Sequence, residues 1–303
     1  MRKVRTTYRA IPTEEGAGVR LKRVFGYRER GAFDPFLMLD HFGSDNPSDY
    51  IAGFPWHPHR GIETVTYLLS GKVGHGDSMG NKGVIGPGDA QWMTAGSGII
   101  HQEMPEPGAD GKTMEGFQLW VNLPAALKMT SPRYRAVEAG EIPRVETEGA
   151  KIAVLAGKFG AVRGATPELF VPVRYVIVEI EAGKTLKMTV PSGHNAAVYV
   201  YRGKVSVAGT KIASGEAANL PAEAGETGET GETDKADETG DDMIPLSADA
   251  ETGASLLFIS GKPLREPIAW GGPIVMNTRS ELELAFEEYE KGRFIKTKAA
   301  GSP

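Results

Sequence analysis

No cysteine occurs among the 303 residues, which excludes disulfide staples and thiolate metal sites. Nothing in the thiol content argues for an oxidising compartment, so a cytoplasmic address is the default expectation, with the nucleus added if the source is eukaryotic. Long apolar runs are also missing. No segment approaches the roughly 20 residues of a spanning helix, and the basic N-terminus MRKVRTTYRAIPTEEG has no apolar stretch behind it. Neither a signal peptide nor a membrane anchor is expected. A basic stripe is absent too, so direct binding to nucleic acid is not expected. Histidine is scarce, at six residues, which makes its clustering informative.

What is present is ordinary in bulk and uneven in detail. Hydrophobic residues make up 40% of the chain and charged residues 24%, the balance of a soluble globular protein, and the length suggests two domains. The net charge of -5 hides a division. Segment 222–242, AEAGETGETGETDKADETGDD, holds nine acids and one lysine, so the rest of the chain carries +3. Its Gly-Glu-Thr triplets offer nothing to bury and read as a solvated, disordered insertion between two strands, or as an acidic docking segment for a basic partner.

Runs rich in β-branched and aromatic residues recur at 64–69, 118–122, 150–156, 175–180, 196–201 and 255–260. Turn words such as Gly86-Pro87-Gly88-Asp89 separate them, the pattern of short antiparallel strands. A helix is expected over 279–291, with Leu282, Ala285, Phe286 and Tyr289 on one face, Thr278 with Glu281 or Ser280 with Glu283 as capping box, and Gly292 as stop. A weaker turn is expected at 124–129. TVTYLLSGKV (64–73) resembles AAVYVYRGKV (196–205) at an offset of 132, which suggests two β-barrel halves related by duplication. At that offset His57, His59 and Glu63 map onto Thr189, Pro191 and Asn195, and the second half retains only His194.

Two words carry the chemistry. His57-Pro58-His59 and His101-Gln102-Glu103 each place two metal-binding side chains two residues apart. On extended strands such pairs share a face, so two adjacent strands would assemble three imidazoles and one carboxylate. This donor set suits iron, manganese, nickel or copper and leaves positions for water, dioxygen or a substrate oxygen.

MLDHFG (38–43), GFPWHPHRGIETVTYLLSG (53–71), GDAQWMTAGSGIIHQE (88–103), FQLWVNLP (117–124) and GGPIVMNTRSELELAFEEYEKGRF (271–294) resemble, in order and spacing, the pirins, iron-binding proteins of the cupin superfamily. The resemblance covers nearly the whole chain and implies an all-β bicupin: two antiparallel jelly-roll β-barrels with a short C-terminal helix packed back toward the first. The expected division is a metal-binding barrel over 1–135 and a degenerate barrel over 136–303. The resemblance further implies one divalent metal, Fe(II) first, with His57, His59, His101 and Glu103 as ligands. The Gly-Glu-Thr insertion departs from the family pattern.

Several pirins look like quercetinases, so the expected activity is metal-dependent dioxygenation of an aromatic enol such as a flavonol, with release of carbon monoxide. Glu103, a ligand with a second oxygen free, would accept the substrate proton. The alternative is a redox-sensing iron protein that modulates a transcription factor or other protein partner without turnover; a third is a storage or structural bicupin. Around the ligands, Phe54, Trp56, Gln118 and Trp120 are candidates for a substrate pocket, with Trp92 near them. Gln118 and Trp120 share a face opposite Phe117, Leu119 and Val121, but which face lines the interior is open. Glu63 reads as a support for the ligands or a structural residue, Asp40 and His41 as groups that orient a ligand imidazole or cap a turn, His75 as a surface loop residue and His194 as a remnant.

Overall fold

The computed structural model describes residues 2–222 and 241–297. The acidic insertion lies outside the described residues apart from its ends, between the strands Glu216–Leu220 and Asp242–Ala248. The molecule is almost entirely antiparallel β. In the first half a seven-stranded sheet runs in the order Arg133–Val137, Ala90–Thr94, Ile62–Ser70, Met114–Asn122, Phe36–Ser44, Val19–Phe25 and Ile11–Glu15. It faces a four-stranded sheet ordered Phe54–His59, Ile99–Glu106, Lys72–Asp77 and Lys82–Ile85. The second half repeats the plan around the long strand Asn195–Val207, which pairs with Glu216–Leu220 and Ala254–Gly261 in the large sheet and with Thr210–Ala213 and Asp242–Ala248 in the small one. The expected jelly-roll halves are present, but the sheets do not close into barrels: no ladder joins the two sheets of the first half among the described residues. The first half is an open sandwich, whereas in the second half the strand Asn195–Val207 runs through both sheets.

Strand parity decides where the cores sit. Val65 and Tyr67 on Ile62–Ser70, and Phe117, Leu119 and Val121 on Met114–Asn122, point away from the four-stranded sheet and join Leu155, Tyr175, Ile177, Tyr199 and Ile259 in one core shared by the two halves. The large sheets therefore pack back to back. The opposite face of Met114–Asn122, with Gln118 and Trp120, is left to line the interior of the first half.

The two interiors differ sharply. In the first half His57 stands opposite His101 across the small sheet. In the second half the inward residues of Thr185–Val190 are Leu186, Met188 and Val190, and Met188 stands opposite Ile244. The counterparts of His57, His59, His101 and Glu103 are thus Met188, Val190, Ile244 and Leu246, all fully buried in an aliphatic core. This corrects the mapping onto Thr189 and Pro191 by one residue. The turn over residues 191–194 is longer than the two-residue corner at Arg60-Gly61, and Thr189 faces outward. Gly71 and Gly203, the repeated Gly-Lys-Val glycines, do correspond: both have positive φ, of 82° and 71°.

The chain ends cross between halves. Thr6–Arg9 adds to the second half's large sheet beside Glu216–Leu220, and Arg2, buried, donates to Asp242 at 2.8 Å and to the carbonyls of Ser192 and His194. In exchange, the segment from Ala269 onward returns to the first half. Its hairpin, Ala269–Gly271 with Ile274–Met276, lies against the corner where the chain passes between the first half's two sheets. Gly61 at that corner has φ +78, and a Cβ there would meet the Val275 carbonyl at 2.0 Å. Lys128, buried, gathers the carbonyl oxygens of Gly61, Asn122 (side chain) and Val275 at 2.8 to 2.9 Å. The helix Arg279–Glu290 begins with the Thr278/Glu281 capping box and ends at Gly292, whose φ is +66. Of its expected apolar face only Ala285 is buried; Phe286 and Tyr289 lie at the edge and stay exposed. Arg60 secures the arm by donating to Glu288 at 2.8 Å and to the Phe294 carbonyl at 2.9 Å. The turn expected at 124–129 is the 3-10 turn Ala125–Leu127. No described helix is long and apolar enough to cross a membrane.

Candidate metal centre

Phe54–His59 is an edge strand, which is why it tolerates Pro55 and Pro58: neither has an N–H to offer a second neighbour. Alternation along it turns His57 and His59 inward and Trp56 outward. Trp56 is 53% exposed and does not line the cavity, contrary to its candidacy as a pocket residue. Across the ladder, His101 completes a triangle of rings with centres 4.3 Å from His57 and 5.0 Å from His59, which are 4.9 Å from each other. One potential ligand atom from each lies within 4.8 Å of the others.

Hydrogen bonding fixes how two of these rings are presented. His57 Nδ1 donates to the Pro55 carbonyl at 2.8 Å, and His59 Nδ1 donates to the Pro273 carbonyl at 3.0 Å. With both rings neutral, each turns an unprotonated Nε2 toward the other, and the two lone pairs meet at 3.1 Å. That contact repels unless a cation lies between them, and its length suits two nitrogens bound side by side to one metal ion, about 3 Å. His101 is fully buried and neither ring nitrogen has a partner among the described residues, a cost that a bound cation would remove at one of the two. Burial pushes His59 down to about 3, and the neighbouring His57 adds to the shift. Burial, with His59, His57 and His75 adding to it, holds His101 well below the ordinary imidazole range. Neutral imidazoles are the form that binds metal. The residues present fit a transition metal.

Glu103 lies on the same strand face but apart from the triangle. A register shift between His101 and Glu103 sets Glu103 opposite Phe54. Its carboxylate accepts from Thr66 Oγ1 at 3.1 Å, Gln91 Nε2 at 3.3 Å and Gln118 Nε2 at 2.8 Å. Gln118 Oε1 accepts the Trp120 indole N–H at 3.1 Å, and the Trp120 ring stands 5.0 Å from His59. The pairing registers identify Val198, Ala218 and Phe258 as the second half's counterparts of Thr66, Gln91 and Gln118. The polar frame around Glu103 and the ligands thus differ together between the halves.

The imidazoles of His57 and His59 open into a cavity of about 540 Å³. Its walls are Tyr27, Phe42, Phe54, Trp120 and Trp270, with Gln118, Arg23 and Asp40 as polar points. Asp40 is held by Arg23 through two bonds of 2.8 and 2.9 Å and contacts no ligand imidazole. Burial raises its pKa against the pull of Arg23. His41, next in the strand, faces the other way. It meets Tyr199 Oη at 2.8 Å and Glu115 at 3.2 Å, so it links the two halves and orients no ligand. Glu63 also points away, sharing the face of Val65. It accepts from Thr94 Oγ1 at 2.6 Å, and burial raises its pKa. Trp92 belongs to the shared core. His75 is not on a surface loop: it is a buried residue of the strand Lys72–Asp77, beside Glu103. Sequence reasoning passed over Tyr27, Arg23, Thr66, Gln91, Trp270 and Pro273. The last two belong to the returning arm, whose distance along the chain hides its proximity.

Comparison with known proteins agrees with this architecture. Residues 18–121 match the Pirin family model and residues 175–295 the Pirin C-terminal cupin domain. A Pseudomonas aeruginosa protein provisionally named a quercetin 2,3-dioxygenase is 45% identical over 289 residues, covering 93% of this chain and 94% of that one. The crystal structure of a quercetin 2,3-dioxygenase from Acinetobacter baumannii superposes with a TM-score of 0.85 at 34% identity, covering 97% of this chain and 98% of that one. A bacterial pirin from Escherichia coli, solved in complex with nickel(II), shares the fold with a TM-score of 0.63 at 19% identity, covering 85% of this chain and 98% of that one. With both halves matched and the relationship extending over nearly its full length, the chain belongs to the pirin family.

Proposed function

We propose that this pirin is a metal-dependent dioxygenase that opens an enolic aromatic substrate of the flavonol type, with iron(II) as the metal. Manganese, nickel and copper suit the same donors, and the nickel(II) complex of the Escherichia coli pirin keeps nickel among them. The observation that carries the reading is the convergence of three imidazoles, two of which, His57 and His59, open into an aromatic-walled cavity of about 540 Å³, a size suited to a ligand of that class. The names of the Pseudomonas and Acinetobacter relatives support it. Bound there, a divalent transition metal supplies Lewis acidity toward an enol oxygen and a centre for dioxygen activation.

The chain's own residues supply binding, orientation and proton transfer. Phe54, Trp120 and Trp270 offer faces for a planar ring and exclude water from it. Glu103 is proposed as the fourth ligand and, through its second oxygen, as acceptor of the enol proton. Gln118 holds that oxygen through its amide and ties it to the Trp120 wall. In the reaction the two atoms of dioxygen enter at the carbons on either side of the enolic carbon, which become the ester and the carboxyl of the ring-opened product, and the hydroxyl-bearing carbon between them leaves as carbon monoxide with its own oxygen. Iron-loaded protein should consume oxygen in step with quercetin loss, and Glu103→Gln should lower that rate by about 100-fold or more. Fully loaded protein that leaves both oxygen and quercetin untouched would defeat the proposal.

A further inference from the structure

An imidazole that binds metal through one nitrogen carries a proton on the other, and that N–H is donated to a carbonyl, carboxylate or water. His57 and His59 have such acceptors in Pro55 and Pro273. His101 has none among the described residues, although it is the most buried of the three. Beside it, 5.5 Å between ring centres, lies His75, whose side chain is also fully buried and whose Nδ1 has no partner among the described residues. The other nitrogen of His75 donates to Asp77 Oδ2 at 3.3 Å. Asp77 is pinned by the backbone N–H groups of Met79 and Asn81 and the Asn81 amide, at 2.8 to 3.0 Å. A carboxylate only accepts, so Nε2 of His75 holds a proton, and in the neutral ring Nδ1 presents a lone pair. Tyr134 stacks on the ring at 4.4 Å and fixes its plane.

The duplicated half supplies an independent observation. His75 stands opposite Glu103, and the residue opposite Leu246, the counterpart of Glu103, is Val207, fully buried. His75 is therefore present where the ligands are present and replaced by an aliphatic residue where they are replaced.

We propose that His75 is a positioning residue of the metal centre: its Nδ1 accepts the proton-bearing nitrogen of His101, after a small ring rotation or through one buried water, and Asp77 fixes the tautomer that permits this. The inference rests on the reading that the three imidazoles hold a metal.

The test is competition for nickel(II) between the full chain and a chromogenic chelator, with metal stoichiometry and apo-protein melting measured alongside. His75→Phe should weaken nickel affinity by about 10- to 100-fold with one metal still bound at saturation. His75→Gln, which restores an acceptor, should recover most of the loss. Asp77→Asn should weaken affinity as His75→Phe does, because an amide N–H facing Nε2 would force the proton onto Nδ1. Should the Phe variant not fold, nitrogen-15 NMR of zinc-loaded wild type reads the same point, with His75 expected as the Nε2–H tautomer. Affinity within about twofold of wild type in both His75→Phe and Asp77→Asn would overturn the inference. So would an Nδ1–H tautomer, or a loss of stoichiometry that made His75 a ligand. Wild type that binds no nickel would instead remove the underlying metal reading.

Discussion

Acidifying the metal-free protein from pH 7 to pH 5 should cost about 2 kcal/mol of folding stability through His59 alone. In the folded chain burial holds this imidazole down to about 3, against an ordinary value of 6.5. Between those values the unfolded chain binds the extra proton, so stability rises with pH through the window and falls as acid is added. Each unit of difference is worth about 1.4 kcal/mol, so relative to pH 7 acidification to pH 5 costs roughly 2 kcal/mol and to pH 3 about 4 kcal/mol. His101, shifted in the same direction by burial, adds with the same sign. Asp40 and Glu63, whose pKa values are raised, act oppositely, so the useful quantity is a difference between variants. His59→Asn keeps a donor for the Pro273 carbonyl and removes the titration. Urea unfolding of chelator-treated protein at pH 7, 6 and 5 should show wild type losing about 2 kcal/mol more than His59→Asn over that range. Equal losses in the two proteins would refute the claim that His59 is buried and neutral.

Three further outcomes separate the site from its scaffold. Gln118→Leu removes a donor from Glu103 and the acceptor of the Trp120 indole; it should leave one metal per chain by elemental analysis while lowering oxygen uptake at least about 10-fold. Lys128→Met removes the shared donor from three buried oxygens, of which the Gly61 carbonyl keeps the Leu123 N–H at 3.3 Å, and should cost about 3 kcal/mol by urea unfolding. His41→Phe breaks the link to Tyr199 and Glu115; stability should drop by about 1 to 2 kcal/mol, with nickel affinity unchanged in chelator competition.

Much of the site was legible because strand parity is a short-range rule. Spacing of two residues brought His57 and His59 to one face, and one antiparallel register set His101 opposite. The same parity sends Trp56 outward, and its aromatic character alone had made it a pocket candidate. Parity left Gln118 and Trp120 undecided, because the choice of inner face depends on the second half packing behind Phe117 and Leu119. Glu103 shows a further limit: the irregularity after His101 shifts it along the partner strand, and single-chain spacing carries no sign of that. His75 was misread because glycines flank it. Pairing on both sides, to Ile99–Glu106 and Lys82–Ile85, holds that segment extended despite poor local propensity. The one-residue slip in the repeat arose because the strands correspond while the turns between them differ in length. Closure was not legible, since it depends on whether the edge strands of two sheets meet.

The central claim is a single transition-metal centre built by three imidazoles of the first half, and metal content tests it most directly. Elemental analysis of protein reconstituted anaerobically with iron(II) and desalted should find one iron per chain. Alanine at His57, His59 and His101 together should bring that to none in a chain that still folds, and His194→Ala should leave it at one. Iron retained by the triple variant, or a second iron in wild type, would contradict the account.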